Sequence, residues 1–186
     1  DLLAKALAAT PDNTSLLWVQ AGLLERAGDI DGAIDVYEKL YAEDSSNAVL
    51  ANNLASLITV HRDSPEGLAR AANIVRRLRG TDVPAFQDTY GWIAYLRDDF
   101  DEALTYLEPA AAGLAEDPFV QYHLGMTYAA LGRNADAKEQ LEQAIALAPN
   151  NPTFQPEKAR EALAGLDGPG ADTGGNPGGD ADSGTE

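Results

Sequence analysis

Few residues in this sequence can react. It holds two histidines, His61 and His123, and no cysteine. Thiol nucleophiles, thiolate metal ligands and disulfides are therefore excluded. What remains is imidazole, carboxylate and hydroxyl chemistry. Asp88 orienting His123, with Ser56 or Thr127 as the hydroxyl, would make a hydrolase base and nucleophile. The same Asp88 and His123 would begin a metal site, but such a site needs three or four converging ligands, and no third is evident. No spacing among these residues demands a triad, and no glycine-rich phosphate loop follows a strand, because no strand is expected. The expectation is no catalytic residue, no metal and no cofactor, with a hydrolase or metal site at Asp88 and His123 as the alternative. Recognition suits the available side chains better. Trp92, Tyr122 and Met126 offer contact area, and Asn52, Asn53, Asp88 and His123 offer polar contacts; aromatic residues anchor many interfaces. The same aromatic residues would serve equally well packed between helices.

These residues share a surface only if the elements beneath them are helices in register. The stretch Pro118 to Pro149 reads as two amphipathic helices joined by a tight turn. Apolar residues recur at three- and four-residue steps through Val120, Leu124, Thr127, Tyr128 and Leu131, and again through Ala137, Leu141, Ala144 and Ile145. Gly132 fits a left-handed helix end, Asn134 can cap the second helix, and Pro149 follows it. Gly125 and Ala137 would let the two backbones approach closely. These small residues recur at a 34-residue spacing: Ala21 and Ala55, Gly91 and Gly125, and on the second helices Ala33 and Gly67, Ala103 and Ala137. Four helix pairs result, with two extra residues in the loop from Gly80 to Val83.

A helix-turn-helix unit repeated every 34 residues resembles the tetratricopeptide repeat (TPR) family. The resemblance covers residues 1–149 and implies an all-α fold, a superhelical solenoid of antiparallel helix pairs. Residues 1–13 read as the end of a truncated unit, because Leu3, Ala6 and Pro11 match Leu141, Ala144 and Pro149; the chain is expected to be a fragment of a longer protein. Residues 14–149 hold four repeats, 150–166 a C-terminal capping helix, and 167–186 an acidic glycine-rich tail expected to be disordered. Ser64-Pro65-Glu66 starts a helix well. Arg70, Arg76, Arg77 and Arg79 read as a solvated basic face, and Pro109 predicts a kink or early break. The paired acids Asp98-Asp99 and Asp101-Glu102 suit a helix start.

By the family's geometry the first helix of each repeat lines a concave groove, which brings Asn52, Asn53, Asp88, Trp92, Tyr122, His123 and Met126 to one face. The implied function is a non-catalytic scaffold that binds a protein or peptide partner in that groove; a purely structural spacer is the other reading. The segments Asn52-Asn53-Leu54-Ala55, Asp88-Thr89-Tyr90-Gly91-Trp92-Ile93 and Tyr122-His123-Leu124-Gly125-Met126 resemble the C-terminal units of bacterial envelope TPR proteins of exopolysaccharide systems, including exosortase-associated lipoproteins. That resemblance implies a periplasmic or outer-membrane-associated place. The chain is unlike the chaperone-tail binders, whose groove grips a carboxylate with Lys and Arg. Here the matching positions hold Trp18, Val19, Asp88, Thr89, Tyr122 and His123, so an acidic peptide tail is not expected as the ligand.

The formal net charge of −17 opposes nucleic acid and anionic membrane surfaces, and no apolar run is long enough to cross a bilayer. Because the tail from Asp167 carries no apolar residue larger than Ala, deleting residues 167–186 should leave the melting temperature unchanged. A drop of more than a few degrees in a thermal melt would show that the tail packs.

Overall fold

The computed structural model describes residues 2–62 and 64–166, all of its regular structure helical. The expected disordered tail lies outside these residues. Helix α1 (Leu2–Ala9) precedes four antiparallel pairs: α2 (Thr14–Ala27) with α3 (Ile30–Glu43), α4 (Ala48–His61) with α5 (Pro65–Val75), α6 (Pro84–Leu96) with α7 (Phe100–Gly113), and α8 (Pro118–Ala130) with α9 (Asn134–Leu147). Helix α10 (Pro156–Leu166) closes the series against α9. The architecture is the superhelical solenoid of helix pairs that the repeat implied.

Local signals account for the helix limits. Asn13 and Asn47 each accept a hydrogen bond from a backbone N–H of the first turn, at Leu16 and Leu50, and Asp29, Ser64 and Asp99 do the same for α3, α5 and α7. Gly28 and Gly132 end α2 and α8 in the left-handed conformation, at φ 78° and 72°. In the third pair the turn is made by Asp98 at φ 61°, a residue type that tolerates this region. The fourth pair departs from expectation. Helix α9 starts at Asn134, and Arg133 occupies the cap position without a side-chain cap; its guanidinium bonds Asp136 instead, at 2.7 Å.

The small residues lie where the paired helices meet. Ala21, Ala33, Ala55, Ala103 and Ala137 are fully buried. A Cβ on Gly91 would sit 2.7 Å from Leu107 Cγ and 3.1 Å from the Ala103 carbonyl, and one on Gly125 would sit 2.9 Å from Leu141 Cγ. Gly67 differs, since its crowding comes from the carbonyl of Arg62 in the preceding turn.

Three further expectations are revised. The early break expected at Pro109 does not occur: helix α7 runs through it to Gly113. Pro109 and Thr105 are both exposed, so the carbonyl left without a helical donor sits on the solvent side. The basic face of α5 and of the turn Arg76–Leu78 after it is not merely solvated. Arg70 pairs with Glu38 of α3, and Arg70 and Arg77 lie over the Tyr41 ring at 5.5 and 5.2 Å, which ties the second pair to the first. The capping helix begins only at Pro156, after a turn in which Phe154 is buried.

Gly125→Leu should destabilise the protein by about 1–3 kcal/mol, the usual cost of overpacking, because the added side chain meets Leu141. Denaturant unfolding checks this, and an unchanged midpoint would mean that the helices can separate freely.

Candidate functional site

Helix α6 opens with Pro84 at its first position, and the 3.6-residue turn then stacks Asp88, Trp92 and Leu96 along one face. Helix α8 opens with Pro118 behind Asp117, whose carboxylate accepts from Phe119 N–H at 2.9 Å. Phe119, Tyr122 and His123 follow at three- and four-residue steps. The two faces meet. The Asp88 carboxylate accepts a hydrogen bond from His123 Nδ1–H at 2.8 Å, with the two side chains only 17% and 14% exposed. Since a carboxylate can only accept, the bond places a proton on Nδ1 and leaves Nε2 as the nitrogen open to a ligand.

Trp92 holds the imidazole from its face. The rings stack at 4.1 Å and 17°, and on its other side Trp92 stacks on Tyr95 at 4.7 Å and 7°. A three-ring stack thus spans two repeats, each contact contributing roughly 0.5–1.5 kcal/mol beyond area burial. Tyr122 stands 6.0 Å from Trp92 and 6.2 Å from Phe154. Phe154 packs edge-on against Phe119 at 5.1 Å and fixes the chain that leads into α10. Burial, and then neighbouring groups, push the Tyr95 and Tyr122 hydroxyls above their ordinary pKa, so both remain protonated donors at neutral pH.

Together these elements enclose a concave pocket of about 460 Å³. Thr59 and Val60 reach it from the end of α4, Trp92 and Leu96 from α6, and Phe119, Tyr122 and His123 from α8. The fourth wall is the Thr153–Gln155 turn with Lys158 of α10.

Of the residues expected at the site, Trp92, Tyr122 and His123 line this pocket, and Asp88 stands behind His123. Asn52 and Asn53 do not line it. Asn52 donates to Asn53 at 3.4 Å, and the Asn53 amide lies close to the Tyr37 hydroxyl, which donates to Glu25 at 2.6 Å. Both therefore belong to the seam between the first two repeats. Met126 packs with Leu141 and Phe154 beneath α10. Thr59, Val60, Leu96, Phe119, Phe154 and Lys158 were not singled out by sequence reasoning. Leu96 and Phe119 carried a signal, one turn on from Trp92 and one turn before Tyr122. Val60 carried none, because the superhelical stagger brings the end of α4 towards the start of α8.

The hydroxyls considered for hydrolysis are elsewhere. Thr127 is buried and donates to the His123 carbonyl of its own helix at 2.9 Å, and Ser56 is exposed on α4. Among the described residues no three His, Asp or Glu side chains converge as a metal site.

Comparison with known proteins agrees with the geometry. Residues 1–48 and residues 118–151 each match a tetratricopeptide repeat family model. No curated protein matches the chain. Among solved structures, a thermophilic TPR protein of Thermus thermophilus, TTC0263, superposes with a TM-score of 0.63 at 20% identity, covering 88% of each chain. PilW, a widely conserved type IV pilus biogenesis factor, gives 0.63 at 17% identity over 87% of this chain and 76% of its own. MamA gives 0.58 at 20% identity over 81% and 78%. At such identities the likeness establishes the fold alone: a solenoid of helix pairs like those of tetratricopeptide repeat proteins.

Asp88→Ala should cost about 1–3 kcal/mol, because it strands a part-buried imidazole donor, and should alter the Trp92 emission by freeing the stacked ring. A denaturant melt in a Trp18→Phe background reads both. Unchanged stability and emission would mean that the Asp88–His123 bond does not hold the stack.

Proposed function

We propose that this protein is a non-catalytic interaction module that takes an extended segment of a partner protein into its concave groove, seated on Trp92. The observation that carries this reading is the pocket itself. Apolar and aromatic side chains from three successive repeats and from the turn before α10 converge on one concavity, and its floor is locked before any ligand arrives. His123 is pinned by Asp88 at its edge and by Trp92 on its face. A locked aromatic floor loses little side-chain entropy on binding, and aromatic residues of this kind anchor interfaces. An apolar side chain of the partner would lie against Trp92, Tyr122 and Leu96, and His123 Nε2 is placed to exchange a hydrogen bond with its backbone. The polar seam of Asn52 and Asn53 would guide the partner chain further along the groove, outside the pocket.

The setting we propose is a bacterial envelope assembly linked to exopolysaccharide production, in the periplasm or at the outer membrane. Support comes from the three segments around Asn52, Trp92 and His123 that resemble envelope TPR proteins. The net charge of −17 argues against nucleic acid as the partner.

Photocrosslinking from position 92 in living cells identifies the occupant. Trp92→Ala should weaken capture of that partner by on the order of 2 kcal/mol while far-UV circular dichroism stays unchanged. Loss of capture only together with loss of helicity would assign Trp92 to packing and remove the groove as a site. Crosslinks to envelope proteins would support the proposed setting, and exclusively cytoplasmic adducts would refute it.

A further inference from the structure

The geometry points to a partner segment that carries an acidic side chain beside a large apolar one, with Lys158 of α10 as the residue that selects the acid. This rests on the groove-binding reading above and names the ligand chemistry of that same pocket.

Most of the pocket wall is apolar or aromatic, from Val60, Leu96, Trp92, Phe119, Tyr122 and Phe154. Lys158 is the lining residue with a fixed charge, and it is exposed. No acid among the described residues pairs with it. Its neighbour Glu157 is held by Arg160 at 3.0 Å, and Asp88, the nearest carboxylate behind the pocket floor, is held by His123 at 2.8 Å. Glu161 acts on the Tyr122 hydroxyl but forms no ion pair with Lys158. An unpaired ammonium at the rim of an apolar pocket favours a ligand carboxylate placed next to the side chain that fills the pocket.

This ligand differs from the acidic peptide tail set aside by expectation, because its acid is a side chain within the segment. That expectation considered six positions on the first helices of the repeats, Trp18, Val19, Asp88, Thr89, Tyr122 and His123, none of them Lys or Arg. The cation arrives from outside the repeats, on the helix that closes the solenoid. The overall charge of −17 does not decide the matter. At physiological ionic strength exposed charges more than about 8 Å apart are largely screened, so the wider field slows encounter while the contact at Lys158 sets the preference. Because exposed ion pairs are weak, that preference should amount to about three- to fivefold in affinity.

The test uses three end-capped ten-residue peptides, identical except that a central Leu-Phe is followed by Glu, Gln or Lys. Each is titrated into the full chain, with Trp92 emission followed in a Trp18→Phe background. The Glu peptide should bind about three- to fivefold tighter than the Gln peptide, and the Lys peptide weakest. Lys158→Ala should level the series and Lys158→Glu should invert it, with helicity unchanged. Binding that depends on Trp92 but ignores the variable position, or a Glu preference that survives Lys158→Glu, would overturn the assignment and leave the groove reading standing. Failure of all three peptides to bind, or binding indifferent to Trp92→Ala, would remove the groove reading and this inference with it.

Discussion

The close approach of the two backbones within each helix pair is the constraint from which the rest of the structure follows. At Gly91 and Gly125 there is no room for a Cβ between the first helix and the leucine opposite, Leu107 or Leu141. A close pair is thin, and thin pairs stack with their first helices side by side. The first helices of adjacent repeats then lie near enough for side chains one repeat apart to touch. The stack of Trp92 on His123 and the bond from His123 to Asp88 both cross that interval.

Polar links hold the seam on the other side, within the first and third pairs and between the third and fourth. Tyr37 reaches Glu25, Tyr90 reaches Glu102 and Tyr128 reaches Glu108, at 2.6, 3.0 and 2.9 Å. In each case burial, followed by the carboxylate, pushes the phenol up to about 12, so these hydroxyls remain donors at any physiological pH. Arg79 adds to the second knot through Glu102, and Arg133 covers the Tyr128 ring at 4.2 Å. Such links order the pairs without being a large source of stability, since each replaces hydrogen bonds to water. The stabilising term lies in the buried leucines, isoleucines and alanines between neighbouring pairs, as expected of a repeat array whose units contact only their neighbours.

What could be read from the sequence divides along the same line. Helix pairs, their turns and their small contact residues were legible, because periodicity and glycine placement are local. The meeting of Asp88, Trp92 and His123 was legible too, since the 34-residue repeat places them on neighbouring helices. Asn134 has the residue type of a cap but not its place, because one residue of register separates it from Arg133, and the side chains there have alternative partners. Pro109 has the residue type of a breaker, but its cost depends on whether the stranded carbonyl faces water, which the local sequence does not reveal. The pocket's reach to Val60 and Lys158 depends on the stagger between repeats and on the docking of a helix outside them. Both are properties of the assembled solenoid and leave no mark on spacing.

That docking gives the closing helix more than one consequence. A solenoid must cover the apolar flank of its last pair, and α10 does so by burying Ala159 and Phe154 against α9 and α8. Phe154 has to lie beside Phe119 and Tyr122 to cover them, so the turn that carries it necessarily stands at the edge of the groove. The first exposed polar residue of α10 on that side, Lys158, is then brought to the pocket rim by the same packing. An end cap and a specificity wall are not separate inventions here. Once the last pair is sealed through an aromatic contact on its concave edge, whatever residue follows on the sealing helix becomes part of the binding surface. The repeats themselves supply the apolar floor, and their small, closely spaced residues leave the choice of charge to this last helix.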